Sequence, residues 1–276
     1  MTRINLLQNV SIENTQEYID SFRTADTDAN GFLDSQELRA AFGRRNANRM
    51  LRHADYFTGN DFGNSDPLTR LPIPQPDQPD RKLSLAEFSA YKINNETNGD
   101  HRNHNVFKGK DDKDYMKFLI RQIGLDIYFF DRLDTNHNGI VETVDGGGAP
   151  NEVSYHGGEF TLAQMITRGI NYDVDYINNR LGDFNTIDIN QNGELSKREL
   201  GIVFDSLDTN HDGLLTEAEQ LEHWRNRSNP LGLLPGDDLT KNRYIALALE
   251  RYDHYKNNKI STGEFVGLWY GVFPGE

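Results

Sequence analysis

The residues Asp208-Thr-Asn210-His-Asp212-Gly213-Leu214-Leu215-Thr216-Glu217-Ala218-Glu219 hold a dense set of metal-binding oxygens. Side chains that donate oxygen stand at positions 1, 3, 5, 9 and 12 of this run, and a glycine stands at 6. Alternation lets one tight turn aim Asp208, Asn210 and Asp212 at a common point. Gly213 permits the left-handed turn that carries the chain round that point. Position 7 contributes its carbonyl, so the side chain of Leu214 is unconstrained. Thr216 acts directly or through a water, and Glu219, on the helix that follows, brings two oxygens at once. About seven oxygens from a flexible loop is the coordination that calcium takes.

The same run recurs. Asp26, Asp28, Asn30, the carbonyl of Phe32, Asp34 and Glu37 form a first loop without departure from the pattern. Asp188, Asn190, Asn192, the carbonyl of Glu194, Ser196 and Glu199 form a fourth, the opening stretch being the fifth. A sixth offers Asp253, Asn257, the carbonyl of Lys259 and Glu264, with Asn258 where glycine usually stands and Tyr255, a poor ligand, at position 3. A third begins with Asp134, Asn136, Asn138 and the carbonyl of Ile140, then runs into the glycine-rich stretch 145–158. Asp145 closes it if it ends at twelve residues; Glu159 or Gln164 closes it if the stretch is an insertion. The second is the most altered. Lys82 to Phe88 reads as its rear half and Asp61, with Phe57 four residues before it, as its start, which leaves a proline-rich insertion at 62–80. That loop is expected to complete the fold without binding calcium well.

Helices must present these loops. Phe22, Phe130, Phe184, Phe204 and Leu249 each stand four residues before a loop, the spacing of a buried helical stripe. The first residues of loops four and five are only 20 positions apart. One helix over about 197–207, roughly 16 Å long at 1.5 Å per residue, must leave the fourth loop and enter the fifth. Those two loops then lie at its opposite ends, and the expected pairing is third with fourth and fifth with sixth. The polar stretch 94–110 reads as a linker between residues 1–93, holding hands one and two, and residues 111–276, holding the other four. Within it His101 and His104 lack a third ligand and are not read as a metal site.

Composition bounds the rest. The 276 residues carry a net charge of −14, which opposes nucleic-acid binding. There is no cysteine, which excludes disulfides and thiolate chemistry. No apolar run is long enough to span a membrane, and the start shows no secretory leader, so a cytoplasmic location is expected, with a trimmed signal or leaderless secretion as the alternative.

Taken with these loops, the chain resembles the EF-hand superfamily, with about six hands, calbindin-like in number. The resemblance implies an all-α fold of helix–loop–helix pairs joined by short two-stranded bridges at loop position 8: Leu33 with Leu83, Phe160 with Leu195, and Leu215 with Ile260. It implies calcium as the bound ion. The expected function is a calcium buffer, a calcium-stabilised module, or a sensor or adaptor for a protein partner. Methionine numbers four, against the Met-rich grooves of many sensors. An enzyme or secreted effector with the hands as scaffold is the alternative. No catalytic triad, phosphate-cradling glycine loop or zinc-protease motif stands out, so enzymatic activity is not expected. Both insertions are candidate partner surfaces.

Overall fold

The computed structural model describes residues 6–56, 79–98, 106–141, 159–233 and 236–268. Asp61, Asp145, the two histidines of the polar stretch, Trp269 and most of both insertions lie outside them. The described chain is helical with short antiparallel strand pairs, as the resemblance implied. By compactness it falls into two units. One comprises Leu7–Asn105 and Lys113–Asp175 and contains loops one to three; the other comprises Met1–Leu6, Val106–Asp112 and Tyr176–Glu276 and contains loops four to six.

In the loop-one unit, α1 (Ile12–Ala25) leads through β1 (Phe32–Leu33) to α2 (Ser35–Phe42). Helix α3 (Arg44–Ala54) follows after Gly43, whose positive φ of 78° breaks the helix. Strand β2 (Leu83–Ser84) and α4 (Leu85–Thr97) come next. The long α5 (Lys110–Leu133) leads to β3 (Ile140–Val141), and β4 (Phe160–Thr161) leads into α6 (Leu162–Ile187). Ile19 and Phe22 of α1 are buried as the stripe required, with the Phe22 ring against Phe88. The linker reading fails at its start. Helix α4 continues to Thr97, and Asn94, Thr97 and Asn98 are each 1% exposed. The Thr97 hydroxyl is bonded to that of Tyr115, and the Thr97 carbonyl accepts from Gln8 N–H. Polar composition had disguised a packed helix end.

In the other unit, β5 (Glu194–Leu195), α7 (Lys197–Leu207), β6 (Leu214–Leu215) and α8 (Glu217–Arg225) precede β7 (Leu239–Thr240) and α9 (Lys241–Tyr252). Strand β8 (Ile260–Ser261) and α10 (Thr262–Val266) end it. The single helix joining loops four and five is present as α7.

The strand pairing corrects the sequence reading. Leu33 faces Leu83 as expected. Loop four, however, pairs with loop six (Leu195 with Ile260), and loop five pairs with Leu239–Thr240. Val141 of loop three faces Phe160. The bridges Phe160–Leu195 and Leu215–Ile260 do not form. The reason is that α7 and α9 lie antiparallel. Phe204 meets Tyr244 with ring centroids 5.8 Å apart, Lys241 is 2.6 Å from Asp205, and Gly201 leaves room for the Lys241 side chain. Each end of this helix pair must therefore join one α7 loop to one α9 loop. The four strand pairs among the described residues require eight loop segments, two more than the six recognised. The additional two are the stretches before α6 and α9, which keep only the rear half of a loop.

Candidate metal centre

Five loops share one backbone. Position 4 has positive φ in each: Ala29, His137, Gln191, His211 and Lys256, at 54° to 57°. Position 6 has positive φ as well, supplied by glycine in four loops and by Asn258 (64°) in loop six. In four of the five the position-1 carboxylate then accepts two backbone N–H groups. Asp26 takes those of Asn30 and Gly31, Asp188 those of Asn192 and Gly193, and Asp253 those of Asn257 and Asn258. In loop three Asp134 takes those of Asn138 and Gly139. The side chain at position 5 accepts the N–H of position 7, as Asn30 does from Phe32 and Asp212 from Leu214, each at 2.8–2.9 Å.

Positions 9 and 12 form the N-terminal cap of the next helix. The hydroxyl or carboxylate at position 9 accepts the N–H of position 12, and the glutamate at 12 accepts back the N–H of position 9. Asp34 with Glu37, Ser196 with Glu199, Thr216 with Glu219 and Ser261 with Glu264 are such pairs. The remaining glutamate oxygen reaches across the loop, from Glu37 to Thr27 N–H at 2.8 Å and from Glu219 to Thr209 N–H at 3.0 Å. One carboxylate thus spans both ends of its loop. Burial opposes ionisation of Glu219, yet the bonds from Thr216 and Thr209 hold it down at about 2.

Two observations test whether these residues fit a cation. In loop one, Asp26, Asp28 and Glu37 each place an oxygen within 4.8 Å of the others, the one such cluster of three among the described residues. In loop five, Asp208 is 4% exposed and its Oδ2 accepts Gly213 N–H, while its buried Oδ1 has no partner. A buried carboxylate oxygen without a donor is costly unless a cation meets it. The donor set in both loops is all oxygen, which suits calcium.

Sequence reasoning misplaced the second loop. Its first residue is Asp55, at the end of α3. Asp55 accepts Asp80 N–H at 2.9 Å and Arg81 N–H at 2.8 Å, the bonds that positions 5 and 6 make elsewhere. Arg81 takes the glycine conformation with φ 65°. Asp80 accepts Lys82 N–H as a position-5 side chain does, and Glu87, 2% exposed, accepts both Tyr56 N–H and Ser84 N–H. The insertion therefore falls between positions 2 and 5. The Ala54-Asp55 junction repeats Ala25-Asp26 and was the available signal.

Glu159 and Gln164 do not close loop three. Both residues belong to the segment across the strand pair, where Gln164 caps α6 with Thr161. Loop six also has a feature its own sequence does not show. Asp111, at the start of α5, accepts the hydroxyls of Tyr255 and Ser261 and the N–H of Gly263, each at 2.9 Å. The side chains at positions 3 and 9 are thus directed to Asp111. The Lys110 ammonium lies 3.4 Å from the Tyr255 ring centre, and Lys259 pairs with Glu194 of loop four.

The EF hand family model matches residues 19–42 and 181–203, which are the first and fourth helix–loop–helix segments. Those matches support membership of the EF-hand superfamily and, with it, a general calcium-binding role. No curated protein matches the chain. Among the described residues no helix is long and apolar enough to cross a membrane.

Proposed function

We propose that this chain is a calcium-binding protein in which loops one, four and five hold the ions, and that it acts as a buffer or calcium-stabilised module rather than as an enzyme. The observation that carries this reading is the convergence of Asp26, Asp28 and Glu37 in a loop whose turn is already formed. Bound calcium would supply the positive charge that these carboxylates face. The protein's own part is to fix the position-1 carboxylate with backbone N–H groups, two in loops one and four and one in loop five, and to hang the closing glutamate from the next helix. Low methionine content and the commitment of most clustered carboxylates to loops favour a module over a promiscuous sensor or a catalyst.

Isothermal calorimetry with calcium is the test. The expected stoichiometry is between three and five per chain, three of them from loops one, four and five. A value of zero or one would overturn the reading.

A further inference from the structure

A groove of about 880 Å³ opens between α1 and α2. Every charged residue that lines it is acidic: Glu13, Glu17, Asp20 and Glu37. Its apolar surface includes Ala40, Ala41 and Phe42. Glu13, Glu17 and Asp20 are exposed and stand at i, i+4 and i+7, one stripe along α1.

Helix α3 carries the complementary stripe. Arg45, Arg49 and Arg52 are exposed and also stand at i, i+4 and i+7, opposite the buried Ala47, Met50 and Ala54. The helix contains no aspartate or glutamate, although the chain as a whole has a net charge of −14. Among the described residues none of these arginines has an ion-pair partner. Both stripes cover about 10 Å at the helical rise of 1.5 Å per residue, so the three arginines of one helix match the span of the three carboxylates of the other.

From this match we propose that the chain self-associates, the arginine face of α3 from one copy lying in the α1–α2 groove of a second. The occupant is assigned to a second copy because the chain itself presents a basic helix with the groove's own spacing. Arginine suits the groove twice over. Its guanidinium reaches the acidic rim, and its aliphatic stem covers the methyl surface of Ala40 and Ala41. Groove and helix belong to one compact unit. A reciprocal exchange therefore closes a two-fold dimer, and a one-way exchange builds a chain of copies. This assignment does not rest on calcium binding, and its readout below is separate from the calorimetric one.

The experiment is sedimentation velocity on the full chain over a concentration series at low ionic strength, with and without calcium. Self-association is expected. The variants Glu13→Lys/Asp20→Lys and Arg45→Glu/Arg52→Glu should each associate at least about tenfold more weakly with themselves. Mixed with each other, they should recover a heteromeric species near wild-type strength, since the reversed charges again match. That recovery also shows both variants to be folded. The proposal is overturned if the wild type stays monomeric throughout, if either variant associates undiminished, or if the mixture fails to recover. A monomeric wild type that captures an arginine-rich helical peptide overturns it too, and assigns the groove to a different protein.

Discussion

Gln164 caps α6 through the same paired bonds that the glutamates make at position 12 elsewhere. A Glu→Gln change at position 12 therefore keeps the cap and removes the bidentate anionic ligand, together with the bond that the second oxygen accepts across the loop. Glu37→Gln and Glu199→Gln lose the same groups and can be compared directly. Loop one has acids at positions 1, 3, 9 and 12, loop four only at 1 and 12 among its side-chain ligands. If ligand charge dominates, loop one is the tighter site, and a site-resolved calcium titration should lose its tightest phase in Glu37→Gln but keep it in Glu199→Gln. Survival of that phase in the first variant would mean that rigidity or pairing outweighs charge. Asp111 supports a second expectation. With three buried or half-buried donors aimed at it, Asp111→Ala should destabilise the loop-six unit by roughly 1–3 kcal/mol, read by thermal or urea denaturation. The glycine of position 6 was legible in every intact loop because glycine takes that left-handed turn at the least cost. The equal strain at position 4 was not, because Ala29, Gln191 and Lys256 carry no preference for positive φ. Asp55 was missed because the residues completing its turn follow it by 25 positions or more.

Helices α5 and α6 hold a pair of carboxylates outside every loop. Asp126 of α5 lies against Gly169 of α6, its Oδ2 being 3.0 Å from where a Cβ would stand, and Asp173 follows Gly169 by one helical turn. Burial pushes both above the usual carboxylate range, Asp126 to about 8 with the charge of Asp173 adding to it, and Asp173 to about 7. The folded state thus binds protons that the unfolded chain releases near pH 4. Its stabilisation is complete below that pH and is lost as the pH rises to about 8. Asp126→Asn should flatten the slope of stability between pH 4 and 8 and raise stability at pH 9 by about 2 kcal/mol; an unchanged urea midpoint across that range would reject the coupling. Loop pairing was the element least legible in the sequence. Thr240 and Arg243 occupy positions 9 and 12 before α9, and an arginine there erases the acidic signature. What persists is a buried apolar residue followed by a capping one: Leu33-Asp34, Leu83-Ser84, Phe160-Thr161, Leu195-Ser196, Leu215-Thr216, Leu239-Thr240 and Ile260-Ser261. Searching for that dipeptide instead of for ligands would have found the half-loop before α9; the one before α6 was read as the rear of loop three.

At the scale of the molecule, loops one and five belong to different compact units. Trp224, 59% exposed on α8, reports on loop five. Adding calcium should change tryptophan emission; Glu219→Gln should remove most of that change and Glu37→Gln should leave it nearly intact. Equal loss in both variants would mean that the units are energetically coupled. The sequence placed the division at the polar stretch 94–110. The compact units do exchange there, at residues 105–106, and exchange again at 6–7 and partway along α5 and α6, at 112–113 and 175–176, the last two being boundaries that a continuous helical pattern conceals.

Helix α7 has no end that belongs to itself. Its N-terminal cap is Ser196 with Glu199, and its C-terminal cap is Asp208, so each end is also part of a loop's proposed ligand set. Fraying, the ordinary route by which a short helix exposes its amides to exchange, must here dismantle a site. Calcium held in either loop should therefore slow hydrogen exchange along the whole of α7, including the turn beside the other loop, and should do so before that second loop has taken up its ion.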